Sequence, residues 1–231
     1  MTILFDAQIF TGSADISGQA NSVTESWSAN MIDTTSFGSS GWMEARPGNK
    51  SATLTVQTYL DDAIDAGQLE AGVRPLICTV AETAADGSDA YSLVGAVAET
   101  GREGTVGDLH RQPLTISNSG LAFGGKMLQP KAVRTVAGSA TATLLEAVPS
   151  GRSVYASLHL FAVTGGNVNV LVESAALINM VGATTRINFG TLTAAQAVQS
   201  SSSTVTTDTF WRVRWTQTAS SATFAVVVGI H

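Results

Sequence analysis

Period-two alternation runs through most of the chain. Ser51-Ala-Thr-Leu-Thr-Val-Gln-Thr-Tyr-Leu60 sets Ala52, Leu54 and Val56 on one face and threonines on the other, which predicts a half-buried strand. Thr2-Ile-Leu-Phe5 and Gln8-Ile-Phe10 predict short strands, broken by Asp6 and by a turn at Gly12-Ser-Ala-Asp15. Ser22 to Ser28 predicts another, in which Trp27 breaks phase, and Arg46-Pro-Gly-Asn-Lys50 reads as a turn. Val73 to Val80, Ala90 to Glu99 and Leu109 to Ser117 follow as strands, separated by a turn at Asp86-Gly-Ser-Asp89 and a glycine-punctuated loop at Gly101 to Gly107. One helix is predicted, over Asp61 to Glu70: acids crowd its first turn, Leu60, Ile64 and Leu69 fall near one face, and Gly72 stops it.

Small residues crowd 118–152, and the pattern restarts at Ser153. Val154 to Phe161, Val168 to Val172, Arg186 to Phe189, Phe210 to Trp215 and Ala222 to Ile230 predict strands, with a hairpin turn at Gly165-Gly166 and a polar loop at Gln199 to Ser203. Short strands at regular spacing predict an all-β chain built from antiparallel sandwiches or barrels. The expected organisation is a β domain with one short helix over 1–125, a boundary at 126–152, and a second β-sandwich over 153–231.

Composition sharpens this picture. Apolar residues make up 44% of the 231, but charged residues only 13%, against about 25% in an average globular chain. About 50 serines and threonines, 22 glycines and 5 prolines suit strands and tight turns better than long helices. The N-terminus lacks the basic and apolar regions of a signal peptide, and no apolar run reaches the roughly 18 residues of a membrane helix, so a soluble chain made in a cytoplasm is expected. Net charge is −6, unevenly spread: residues 1–125 carry fifteen acids and five bases, residues 126–231 three acids and seven bases. The two parts therefore stand at −10 and +4. Such an acidic balance argues against tight wrapping of nucleic acid, which depends on lysine and arginine displacing counterions.

Reactive chemistry is sparse. His110, His159 and His231 lie far apart and none pairs at helical spacing with another ligand, so neither a metal nor another cofactor is expected. His159, between Leu158 and Leu160, is expected on the polar face of a strand. Gly120-Leu-Ala-Phe-Gly-Gly-Lys126 has the spacing of a phosphate-binding loop, but Met127 stands where a hydroxyl must hold magnesium. Asn49-Lys-Ser51 is formally a glycosylation acceptor, without a secretory signal to make use of it. There is no Gly-x-Ser-x-Gly elbow, Asp61 and Asp62 are best explained as first-turn acids, and Cys78 reads as a small buried hydrophobe with a raised pKa. Enzyme chemistry is not expected. Trp211, Val213 and Trp215 share one strand face, opposite Arg212 and Arg214, which predicts a core ladder with a basic outer face rather than a sugar platform.

Asp15-Ile-Ser-Gly-Gln-Ala-Asn-Ser-Val23, Ile32-Asp-Thr-Thr-Ser-Phe-Gly-Ser-Ser-Gly-Trp42 and Arg46-Pro-Gly-Asn-Lys-Ser-Ala-Thr-Leu-Thr-Val56 occur in this order. Together they resemble the N-terminal region of the tail tube, or major tail, proteins of long-tailed bacteriophages, over about the first 125 residues. The second half is similar to a C-terminal β module of phage structural proteins. The resemblance implies a virion protein, assembled in the bacterial host cytoplasm, whose copies close into hexameric rings. These rings would stack into a tube alongside other phage tail proteins, and genomic DNA would pass through it without specific binding. It implies no cofactor and no membrane partner.

Phe37, Trp42 and Arg46 are the expected subunit-contact residues, because a glycine-spaced loop with two aromatics is poorly explained by a monomer core. The acidic first part is expected to line the lumen, the basic second part to face outward; no particular acid is assigned to the lumen. The alternatives are a capsid decoration or cement protein, or a tail-fibre or carbohydrate-binding module.

Overall fold

The computed structural model of the protein describes residues 6–36, 42–59, 76–101, 104–105 and 111–231. Among these residues the chain is all strand and loop, and every strand pairing is antiparallel. In chain order the strands are β1 (Gln8–Thr11), β2 (Ala14–Asp15), β3 (Ala20–Asp33), β4 (Ala45–Tyr59), β5 (Leu76–Ala81), β6 (Asp89–Thr100), β7 (Arg111–Arg134), β8 (Gly138–Ser139), β9 (Thr143–Leu144), β10 (Val154–Thr164), β11 (Val168–Ala175), β12 (Thr184–Leu192), β13 (Gln196–Ser202), β14 (Phe210–Gln217) and β15 (Ser221–Ile230). The all-β antiparallel expectation holds. The expected helix at Asp61 to Glu70 lies outside the described residues.

A ten-stranded sheet runs β13-β10-β15-β7-β6-β5-β1-β2, with β4 also on β7 and β3 beyond β4. The 24-residue strand β7 organises it. Its first part pairs with β4 (Leu54↔Ile116) and β6 (Val97↔Ile116), and its last part pairs with β15 (Val228↔Lys126). The expected boundary at 126–152 thus begins inside a strand: Lys126 to Arg134 are the end of β7, so the sheet continues from one half of the chain into the other. Gly124 and Gly125, which helped suggest the boundary, are small because the β15 backbone crosses closely there: a Cβ on Gly125 would meet the Val228 carbonyl oxygen.

Two cores form on this frame. Leu54 and Val56 of β4, Cys78 and Val80 of β5, Leu93 and Val97 of β6, and Leu114 and Ile116 of β7 close the first, so the alternation of β4 points inward as the sequence predicts. The second lies between the sheets: Leu158, Leu160, Val226 and Val228 face Val170, Val172, Ile187, Trp211, Val213 and Trp215 of the five-stranded sheet β12-β11-β14 with β8 and β9. Trp211 and Trp215 are buried, and their indole N–H groups donate to the carbonyls of Glu146 (3.2 Å) and Val136 (2.8 Å). They form a core ladder. The outer face of that sheet is not simply basic, since Arg212 and Arg214 both grip the buried carboxylate of Glu173, at 2.8 and 2.9 Å.

A third cluster seals the seam between the halves. Ala225 and Val227 on the reverse face of β15 meet Phe10 of β1, Ala81, Ala90, Phe123 and Met127. Here His159 departs from expectation. Alternation does place it opposite Leu158 and Leu160, but β1 and β5 cover that face and the imidazole is fully buried. Its Nδ1–H donates to the Gly12 carbonyl at 2.7 Å, so Nε2 accepts from the Thr79 hydroxyl at 2.8 Å. Thr79 lies 3.1 Å from Ser92, and Ser92 lies 2.7 Å from Ser157 on β10, which completes a polar chain across the seam.

Three turn assignments are corrected. Arg46 to Lys50 is strand, paired to Ala29, Met31 and Ile32 across a bulge. Proline and glycine are tolerated there because this part of β4 has no second neighbour. Gln199 to Ser202 is an edge strand on β10, where backbone hydrogen bonding needs no apolar alternation. Gly165-Gly166 does not close a hairpin; it carries the chain from β10 in one sheet to β11 in the other. A Cβ on Gly166 would sit 2.6 Å from the Ala219 backbone nitrogen, which requires glycine. The glycines of the phosphate-loop-like run also serve packing: a Cβ on Gly125 would stand 2.1 Å from the Val228 carbonyl oxygen.

Candidate assembly surface

β3 and β4 form an arm. The β4 residues Thr53 to Tyr59 sit between β3 and β7, but residues 45–52 pair with β3 alone. At about 3.3 Å per residue, a two-stranded ribbon of roughly 25 Å leaves the body. Its root is tied to the body by the Ala52 N–H donating to the Asn118 side chain at 3.0 Å. Near the outer end, Thr34 N–H donates to the Glu44 carbonyl at 2.9 Å, and Thr35 N–H donates to the Asp33 carboxylate at 2.8 Å. Hydrogen bonds from the Thr35 side chain and backbone hold the Asp33 carboxyl below its ordinary pKa.

The side chains on this ribbon are the wrong kind for solvent. Trp27, Met31 and Ile32 on β3 are exposed, and Trp42 and Met43 ahead of β4 are 79% and 82% exposed. An isolated two-stranded ribbon is marginal in water, and this arm also displays five large apolar groups. Trp27 is anchored, its ring 6.3 Å from Tyr91 on β6. Beside it, burial pushes the Glu25 carboxyl up to about 7, against a hydrogen bond from Trp27 and reinforced by the charge of Glu82.

Of the expected contact residues, Trp42 lies on the arm, Arg46 is exposed on β4 opposite Ile32, and Phe37 lies outside the described residues. Met31, Ile32 and Met43 were not singled out from sequence, although each is an apolar residue next to a polar or glycine-rich stretch. A second exposed apolar group, Leu177, Ile178 and Val181 between β11 and β12, was missed altogether. The motif beginning at Asp15 has a local structural role: Asp15 accepts the Ser17 N–H at 3.0 Å and pairs with Lys131 at 2.6 Å, while Ile16 is fully buried.

Among solved structures, the chain is similar to a component of the virion of a native gene transfer agent particle, with 17% identity and a TM-score of 0.44, over 54% of this chain and 98% of that one. It is also similar to the SPP1 Dit protein, described as a hub adsorption apparatus protein of phages infecting Gram-positive bacteria, with 10% identity and a TM-score of 0.37, over 97% and 99% of the two chains. The likeness is one of partial shape. No family model matches the chain, and no curated protein matches it.

Proposed function

We propose that this chain is a structural protein of a phage tail that works by self-association. Copies join laterally into rings, of six by the resemblance of the N-terminal motifs, and the rings stack into a tube that conducts DNA. The β3–β4 arm carries this reading: a ribbon with Trp27, Met31, Ile32, Trp42 and Met43 exposed has no use for those side chains except at an interface. A closed ring of heterologous contacts also covers sheet edges, which an all-β chain otherwise leaves open to aggregation.

Charge supports the conduit. Residues 1–125 stand at −10, and an acidic wall repels a polyanion and offers it no phosphate-binding patch. In this reading the acidic part lines the lumen and the basic part faces outward. The carbohydrate reading loses its main support, because Trp211 and Trp215 are buried with their N–H groups satisfied internally.

Electron microscopy of the purified chain across a concentration series tests the proposal. Rings or tubes are expected, and a Trp42→Ser, Met43→Ser variant should stay dispersed with its melting temperature unchanged. Particles that stay single at every concentration, or trimers that bind only to capsid shells, would refute it and favour a decoration protein.

A further inference from the structure

We propose that Glu25 and Trp27 of β3 form a proton-dependent clasp at the root of the β3–β4 arm: with Glu25 neutral the arm is held against Tyr91 of β6, and with Glu25 ionised the clasp loosens and the arm swings out. The clasp lies within a single chain and holds whether or not copies associate.

The root of the arm meets the body in two ways. Along its edge, the β4–β7 ladder ends at Thr53, opposite Ser117, and the Ala52 N–H makes the last tie, to the Asn118 side chain at 3.0 Å. Across its face, β3 has β4 as its one strand partner among the described residues, so side chains alone join it to β5 and β6. Val23, Glu25 and Trp27 share that face. Val23 packs on the first core, and the Trp27 ring lies 6.3 Å from Tyr91. Glu25 stands between them, half-buried over a cleft closed by Leu54, Cys78, Val80, Leu93 and the Tyr91 ring. The free volume of that largely apolar cleft is about 10 Å³, room for one water at most.

An ionised carboxylate is poorly served at this position. Trp27 donates a hydrogen bond to it, but among the described residues no lysine or arginine pairs with it. Lys126 of β7, the nearby cation, is held by Asp89 at 2.7 Å. Glu82, which follows β5, repels the Glu25 charge, and the Tyr91 phenol stays neutral because desolvation and the surrounding carboxylates raise its pKa. A neutral Glu25 escapes both the desolvation and the repulsion. Burial accordingly lifts its carboxyl to about 7, whereas an arm swung into water returns it toward the ordinary 4.5. Closure is therefore linked to proton uptake: the clasp is strongest below 4.5 and weakens as pH rises through 7. Between pH 5.5 and pH 7.5 the ratio of closed to open arm should fall roughly twentyfold.

Hydrogen exchange at the Ala52 amide reads the opening, because its tie to Asn118 breaks when the arm swings. Protection factors, in which the intrinsic pH dependence of exchange is divided out, are measured on the full chain in dilute solution by mass spectrometry with residue-level fragmentation. Ala52 should exchange faster than the amides of β15, which is paired on both sides and opens only on global unfolding. In the wild type its protection should fall roughly twentyfold from pH 5.5 to pH 7.5. Glu25→Gln, neutral at both values and still able to accept from Trp27, should keep Ala52 protection unchanged. Equal protection of Ala52 at the two pH values in the wild type, the same fall in Glu25→Gln, or exchange of Ala52 as slow as that of β15 would overturn the clasp.

Discussion

Acid should loosen this protein through one buried imidazole. His159 is fully buried, and that burial lowers its pKa from the ordinary 6.5 to about 4, against the stabilising pull of the Gly12 carbonyl on the charged form. In the unfolded chain the group titrates near 6.5. Its folded pKa is depressed, so its neutral form is favoured by folding: the contribution is fully present above about 6.5 and is lost as pH falls toward 4. With 1.36 kcal/mol per pKa unit, the full difference is about 3 kcal/mol, of which roughly 2–3 kcal/mol should disappear between pH 7 and pH 4.5. Protonating Nε2 would also force the Thr79 hydroxyl to stop donating to it, which disturbs the chain through Ser92 and Ser157. Glu25, raised to about 7, acts in the opposite direction, becoming a stabilising proton acceptor as pH falls, so a single pH curve mixes the two. Urea denaturation of wild type and His159→Gln at both pH values, in dilute solution, separates them. Glutamine at 159 lowers stability at pH 7 but cannot titrate. The wild type should therefore lose about 2–3 kcal/mol more than the variant on acidification. Equal losses in the two proteins would refute the assignment of the acid response to His159.

Other expectations are simpler. Trp211→Ala removes a fully buried indole and strips the Glu146 carbonyl of its donor, so chemical denaturation should show a loss of about 3–5 kcal/mol, with no change in affinity for any sugar measured by calorimetry. Gly125→Ala drives a Cβ into the Val228 carbonyl, and the β7–β15 pairing should fail; a soluble variant with wild-type melting would contradict the close approach. Cys78 is buried with its thiol pushed up to about 12 by desolvation, so it should react with a disulfide reagent only at the rate of unfolding. Prompt labelling in the native protein would show that the first core is open.

Much of the fold was legible because alternation reports directly which residues face inward. β10, β14 and β15 could be read at close to their observed positions, and Trp211, Val213 and Trp215 fell on the buried face as their shared parity required. The chain's acidic and basic halves and its sparse reactive chemistry also belong to the sequence alone. Partnership does not, because a strand's own residues do not say which strand lies beside it. Gly165-Gly166 looks like a hairpin turn but joins two sheets, and Asn118-Ser-Gly120 and Gly124-Gly125, which helped suggest a boundary, lie in the strand that both halves share. His159 was placed on the correct face, yet only the crossing of β1 and β5 made that face an interior. The arm is the clearest case: Met31, Ile32 and Met43 are exposed because β4 parts from β7 before Thr53 and pairs there with β3 alone. Burial depends on every neighbour the chain brings together, whereas alternation records only the two faces of a single strand.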